Sequence, residues 1–171
     1  VFPPRRRADA LSARAAFGAL VVGLDFDTAT TLNVVSADGR FIGGVIAPDL
    51  RGAHDALVAK AARLTSVELQ FPSTVIGRNT VTSMQSGIMY GYVGLIDGLI
   101  AGIDAELDTP PTVVATGGLG ALFVEPCPRI SVYLPALPID GLRLAWQHRT
   151  HNTGYRATGT ARRPYAHTPS T

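Results

Sequence analysis

Three apolar runs rich in β-branched side chains, residues 20–26, 32–36 and 41–47, open the interpretable part of the chain. "SADGR", between the second and third, supplies a tight turn through Asp38 and Gly39, so the pattern predicts an antiparallel meander. "LRGAHDALVAKAARL" follows, with Leu50, Ala53, Leu57, Ala61 and Leu64 at helical spacing and Asp49 placed to cap the first turn. "VELQFPSTVIGRN" reads as a loop that feeds a long apolar segment starting near Thr80. Residues 112–115 then form a strand that breaks at Thr116-Gly117-Gly118 into a short helix. After a further strand, "DGLRLAWQHR" predicts a closing helix, and beyond His151 the absence of periodicity predicts disorder. This order of elements predicts an α/β domain with a mixed sheet and flanking helices.

The segment "MQSGIMYGYVGLIDGLIAGI", residues 84–103, has the length of a membrane span, with glycines at 87, 91, 94, 98 and 102 in overlapping GxxxG order. Against a span, Asp97 would lie inside it at a cost of roughly 2.5–3.5 kcal/mol, and no basic cluster or tryptophan belt flanks it. The alternative is a buried helix whose glycine stripe admits another backbone, for instance that of a symmetry mate. Each glycine costs about 0.5–1 kcal/mol relative to alanine, so close packing has to offset it. No membrane is expected.

With 171 residues, 46% of them hydrophobic, the chain is sized for one well-filled domain. Its net charge of +2 owes much to Arg5, Arg6 and Arg7 at one end and Arg156, Arg162 and Arg163 at the other. Without interleaved aromatics these read as solvated tails, and no nucleic-acid partner is expected. Cys127 has no second cysteine to pair with, in keeping with a reducing cytoplasm, and His148 and His151 lack the companions of a metal site. The opening "VFPPRRR" has no initiator Met or signal peptide and reads as the start of a fragment or processed product.

The polar positions carry the chemistry. "DFDTATT" follows a strand and offers turn amides, hydroxyls and carboxylates, suited either to phosphate or monovalent-cation contact or to a self-satisfied Asx or Thr turn. "ATGGLG" brings side-chain-free backbone to the start of a helix, where a nucleotide could approach, or forms a plain left-handed connection. "IGRNTVTSMQSG" sets Arg78, Asn79, Thr80 and Gln85 around a helix start that suits a carboxylate, unless Asn79 serves only as the cap. No serine or cysteine triad is apparent, and phosphoryl transfer fits these residues better.

Taken together, "DFDTATTLNVVSADGRFIGGVIAPDL", "IGRNTVTSMQSGIMYGYVGLIDGLI" and "PPTVVATGGLGAL" resemble type III pantothenate kinase over residues 20–149. That family belongs to the superfamily of acetate and sugar kinases and actin. The resemblance implies a ribonuclease-H-like (actin-like ATPase) domain. It further implies ATP-dependent phosphorylation of pantothenate, the first step of coenzyme A synthesis, by a cytoplasmic homodimer using Mg2+ and a monovalent cation, K+ or NH4+. By the same resemblance Asp25 would bind the monovalent cation, Thr28 would contact ATP, Thr80 would contact pantothenate, and Gly117 and Gly118 would form the adenosine-side turn. The division that follows is residues 1–19 as a remnant of an inter-lobe segment, 20–150 as the second ribonuclease-H-like lobe and 151–171 as a disordered tail.

Three departures from the family pattern matter. Asp27 stands where the motif has glycine, and a like charge a few ångströms from a polyphosphate costs on the order of one to several kcal/mol, so ATP binding should weaken. The family's catalytic base lies in a G-A-D-R motif whose nearest counterpart is "RADA", which makes Asp9 the candidate base. The D-x-G-N-T phosphate loop of the family's first lobe has no counterpart in these residues. Because phosphoryl transfer is mostly positioning and charge stabilisation, the chain alone is expected to have little or no turnover, which leaves a non-catalytic homologue, acting in dimerisation or regulation, as the alternative.

Overall fold

The computed structural model describes Phe17 and residues 20–60 and 64–135. Asp9, the predicted closing helix and the predicted disordered tail lie outside the described residues. The meander is present as β1 (Val21–Phe26), β2 (Thr30–Val35) and β3 (Phe41–Ala47). Gly39 at φ 81° closes the β2–β3 turn, where its amide donates to the Ser36 carbonyl at 2.8 Å; the left-handed conformation is one that glycine takes without a Cβ clash. The helix α1 (Leu50–Lys60) begins as expected: the Gly52 amide donates to the Asp49 carboxylate at 3.1 Å. It does not extend to Leu64, which lies outside the helix.

The long helix α2 (Thr80–Ala105) starts at a capping box, with the Thr82 amide donating to Asn79 Oδ1 at 2.9 Å and the Asn79 amide donating to Thr82 Oγ1. Asn79 is therefore the N-cap. After α2 come β4 (Thr112–Thr116), a 3-10 turn (Gly120–Leu122) in place of the predicted short helix, and β5 (Val132–Tyr133). The sheet runs β3-β2-β1-β4-β5, antiparallel across the meander and parallel from β1 to β4 and β4 to β5. This is the mixed α/β sheet that the sequence pattern predicts.

Strand alternation sends Val22, Leu24, Phe26, Leu32, Val34, Val113 and Ala115 to the face that packs on α2, through Met84, Ile88, Met89, Tyr92, Ile96 and Ile100. Phe123, fully buried, stacks on Phe26 with ring centroids 5.3 Å apart and also meets Tyr92 at 5.1 Å and Phe71 at 6.0 Å. These rings join the end of β1, α2 and the segment after β4 into one packed unit. The opposite face holds a smaller cluster, Val21 and Val114 with Phe17, Val132 and Leu134. By length and composition α2 could cross a membrane, yet one of its faces lies in this core.

The glycine stripe expected to receive another backbone does not do so within the described chain. A Cβ built on Gly87, Gly91, Gly94, Gly98 or Gly102 meets nothing within 4 Å, and all five residues are exposed.

Candidate functional site

The polar motif sorts by strand parity. Thr30 belongs to β2, which starts two residues earlier than predicted, and lies on the core face, fully buried, with its hydroxyl hydrogen-bonded to that of Tyr92. Burial raises the Tyr92 phenol above its usual pKa. Asp25, on the other parity, lies on the opposite face and is buried. Register sets Thr31 of β2 beside it on one side and Thr116 of β4 on the other. Thr116 is 1% exposed, and its hydroxyl oxygen has no hydrogen-bond partner among the described residues. One row along, Asn33 is also buried, its amide nitrogen donating to Thr31 Oγ1 at 3.3 Å while its Oδ1 has no partner.

The two motif loops leave the sheet side by side, because β1 and β4 are adjacent and parallel. Residues 27–29 turn from β1 into β2, with Asp27 and Thr28 exposed. Gly117, directly after β4, has φ 90°, and a Cβ there would stand 2.5–2.8 Å from the Phe26 backbone. Only glycine permits so close an approach in that conformation. The Tyr133 hydroxyl donates to the Gly117 carbonyl at 3.1 Å, fixing the loop from β5. Gly118 is exposed, with open space where a side chain would be. In open α/β sheets, ligands bind in the crevice beyond the carboxyl ends of parallel strands, and here that end presents Asp25, Thr28, Thr116, Gly117 and Gly118 together.

Thr80 is not among them. It is exposed at the start of α2, twelve residues before Tyr92, or about 18 Å along the helix axis. The loop leading to it is pinned from the helices: Gln85 Nε2 donates to the Glu68 carbonyl at 3.0 Å, the Tyr90 hydroxyl donates to that of Pro72 at 3.1 Å, and the Ser86 hydroxyl donates to that of Val75. The buried His54 of α1 accepts the Val67 amide at Nε2, 3.2 Å away, and its Nδ1–H donates to Asp55 at 2.8 Å. Beside it a cavity of about 360 Å³, lined by Arg51, His54, Asp55, Val67 and Leu69, includes none of the predicted site residues.

Sequence reasoning put Thr116 only in the break after a strand ending at residue 115, whereas it is the last residue of β4, and it gave Asn33, Tyr92 and His54 no role. Strand alternation could have flagged Thr116, since parity puts it on the face of Val114, but its pairing with Asp25 required the β1–β4 register.

A meander followed by a parallel strand and a glycine turn, with helices flanking the mixed sheet, makes an α/β domain of ribonuclease-H-like fold. A solved structure from Campylobacter jejuni, described as a Baf family transcriptional activator, shares the fold at TM-score 0.57 and 17% identity, over 84% of this chain and 65% of its own. The family model for type III pantothenate kinase matches residues 6–102, and the chain belongs to that family. Type III pantothenate kinases from Gluconobacter oxydans and Parafrankia are 48% identical over 145 residues and 45% identical over 140 residues. These matches cover 85% and 82% of this chain but 54% and 55% of the relatives' own lengths. The chain thus spans about half the length of the curated relatives it matches.

Proposed function

We propose that this chain serves in ATP-dependent phosphorylation of pantothenate, as the half of the catalytic unit that carries the cation ligand, the adenosine-side turn and one wall of the substrate site. The observation that supports it is the convergence, on one end of the sheet, of Asp25, Thr28 and the Gly117-Gly118 turn, all of which belong to the family's motifs. Gly117 lets the turn close on the Phe26 backbone, Gly118 has open space in which a nucleotide can lie along the strand ends, and Thr28 offers a hydroxyl to it. Thr80, at the positive end of α2 with Arg78 nearby, orients the substrate through its carboxylate. Asp9 takes the proton of the attacking pantothenate hydroxyl, which is general base catalysis.

The residues present fit a monovalent cation: Asp25 supplies one carboxylate, and the neighbouring oxygens are neutral hydroxyls. Such an ion offsets phosphate charge at the transferring group. No group of three or more His, Cys, Asp or Glu that could hold a metal stands among the described residues. That suits Mg2+, which is usually held by one or two carboxylates and the substrate's phosphates. The enzyme would act in the cytoplasm as a homodimer, the open glycine stripe of α2 facing the second copy, without nucleic-acid or membrane partners.

Asp27 favours a second reading, a non-catalytic homologue used in dimerisation or regulation, because it places a carboxylate in the turn beside Thr28 where the family has glycine. The test fuses this chain to the amino-terminal half of the Gluconobacter oxydans relative and measures phosphopantothenate by mass spectrometry with ATP, Mg2+ and K+. Turnover that disappears in Thr80→Ala, against background from the unfused chain, is the expected result. A folded fusion that works only as Asp27→Gly identifies the non-catalytic reading, and one that works in neither form sinks the kinase reading.

A further inference from the structure

We infer that Thr116 is a second protein ligand of the monovalent cation, sharing it with Asp25; the inference rests on the cation reading proposed above. The two residues are register partners on adjacent parallel strands and lie on the same face of the sheet. Neighbouring strands are about 4.7–4.9 Å apart, so oxygens carried at one register level come within shared reach of a single ion. Both residues are buried, Asp25 at 7% and Thr116 at 1% exposed.

The hydroxyl of Thr116 is the telling group. A buried hydroxyl without a partner loses its hydration and recovers nothing, and β4 otherwise fills its buried positions with Val113, Val114 and Ala115. Valine has the same shape without the penalty, so the fold alone gives no reason for threonine here. A cation bound by Asp25 does give one, since it takes up the Thr116 lone pair. On the far side of Asp25 the Thr31 hydroxyl is held by the Asn33 amide, so the row presents one carboxylate between two neutral oxygens.

The experiment uses the chain as it is, with K+ as the probe. Melting temperature is followed against KCl concentration, with choline chloride holding ionic strength constant, and Tl+ binding is followed by thallium NMR as a direct readout. Wild type and Thr116→Ser should respond to K+. Thr116→Val should melt in choline at or above the wild-type temperature, showing an intact fold, while its K+ affinity falls about ten- to a hundredfold. Asp25→Asn should not respond. Wild-type K+ affinity in Thr116→Val overturns the assignment and leaves the Asp25 site standing. A wild-type chain that neither shifts with K+ nor binds Tl+ overturns the cation reading itself.

Discussion

The two faces of the sheet are built on opposite terms. Toward α2, β1, β2 and β4 present aliphatic and aromatic side chains, and the one hydroxyl admitted there, that of Thr30, is bonded to Tyr92. Toward the other face the same three strands present Asp25, Asn33 and Thr116, and oxygens of Asn33 and Thr116 stay without partners among the described residues. Toward α2 the strands obey the rule that buried polar groups are satisfied internally; on the other face they break it on both sides of β1, at Asn33 and at Thr116, while the further unpartnered oxygen, Asp97 Oδ1, belongs to α2 and not to the sheet. A sheet that accepts this cost on one side only is using that side for something other than stability.

The largest effect should come from breaking the satisfied face. Phe123→Ala removes a fully buried ring that contacts Phe26, Phe71 and Tyr92 and should cost about 3–5 kcal/mol, read as a fall in the urea midpoint. Gly117→Ala comes next. Its positive φ is worth about 1–3 kcal/mol of strain, and the new Cβ would press on the Phe26 backbone and displace one motif loop from the other. Gly118→Ala, with open space around its Cβ, should be close to neutral in the same measurement. Equal losses in the two variants would show that the loops are not in contact.

Tyr92→Phe tests the same chemistry on opposite faces. It strands the buried Thr30 hydroxyl and should cost about 1–3 kcal/mol, while the double variant with Thr30→Val should recover most of the loss. A cycle with no coupling would mean that the core-face hydroxyl is as unpartnered as that of Thr116. Alkaline pH probes the core as well. Burial holds the Cys127 thiol at a pKa of about 12, above the ordinary 9.0. The unfolded chain therefore ionises first, so the thiol's contribution to stability is constant below pH 9 and is lost progressively as pH rises from 9 towards 12. Urea titrations of wild type and Cys127→Ala across that window should differ in slope, and parallel curves would show that the thiol titrates normally.

Much of the fold was legible because its signals are local. Asp49 and Asn79 announce helix starts by sitting next to the amides they accept, and Asp38-Gly39 announces its turn. The run Thr30-Thr31 concealed the start of β2, because polar residues after Asp-Thr read as loop until Tyr92 is known to satisfy Thr30. The candidate site was legible as motifs but not as a constellation. Asp25 and Thr116 lie far apart in the chain, and only strand order and register bring them level. His54 carries little signal: Asp55 stands beside it in the chain, but its partner at Nε2 is the amide of Val67, a group every residue but proline possesses.

The smallest predicted effect concerns the outer face of α2, which is apolar without being covered. Gly94 is exposed, in mid-helix, and its added Cβ would meet nothing within 4 Å. In a monomer, Gly94→Ala should therefore stabilise by about 0.5–1 kcal/mol, because alanine has less backbone freedom to lose on folding. If a second copy packs on this stripe, the same methyl pushes the backbones apart and weakens association. Light scattering on a size-exclusion column, run beside thermal melts, separates the two contributions. The expected result is a dimer that dissociates at lower dilution in the variant, even though its monomer melts higher. A higher melting temperature with unchanged mass at every concentration would mean that the glycines are not the contact, and that the gain from alanine is the ordinary one of an exposed helix position.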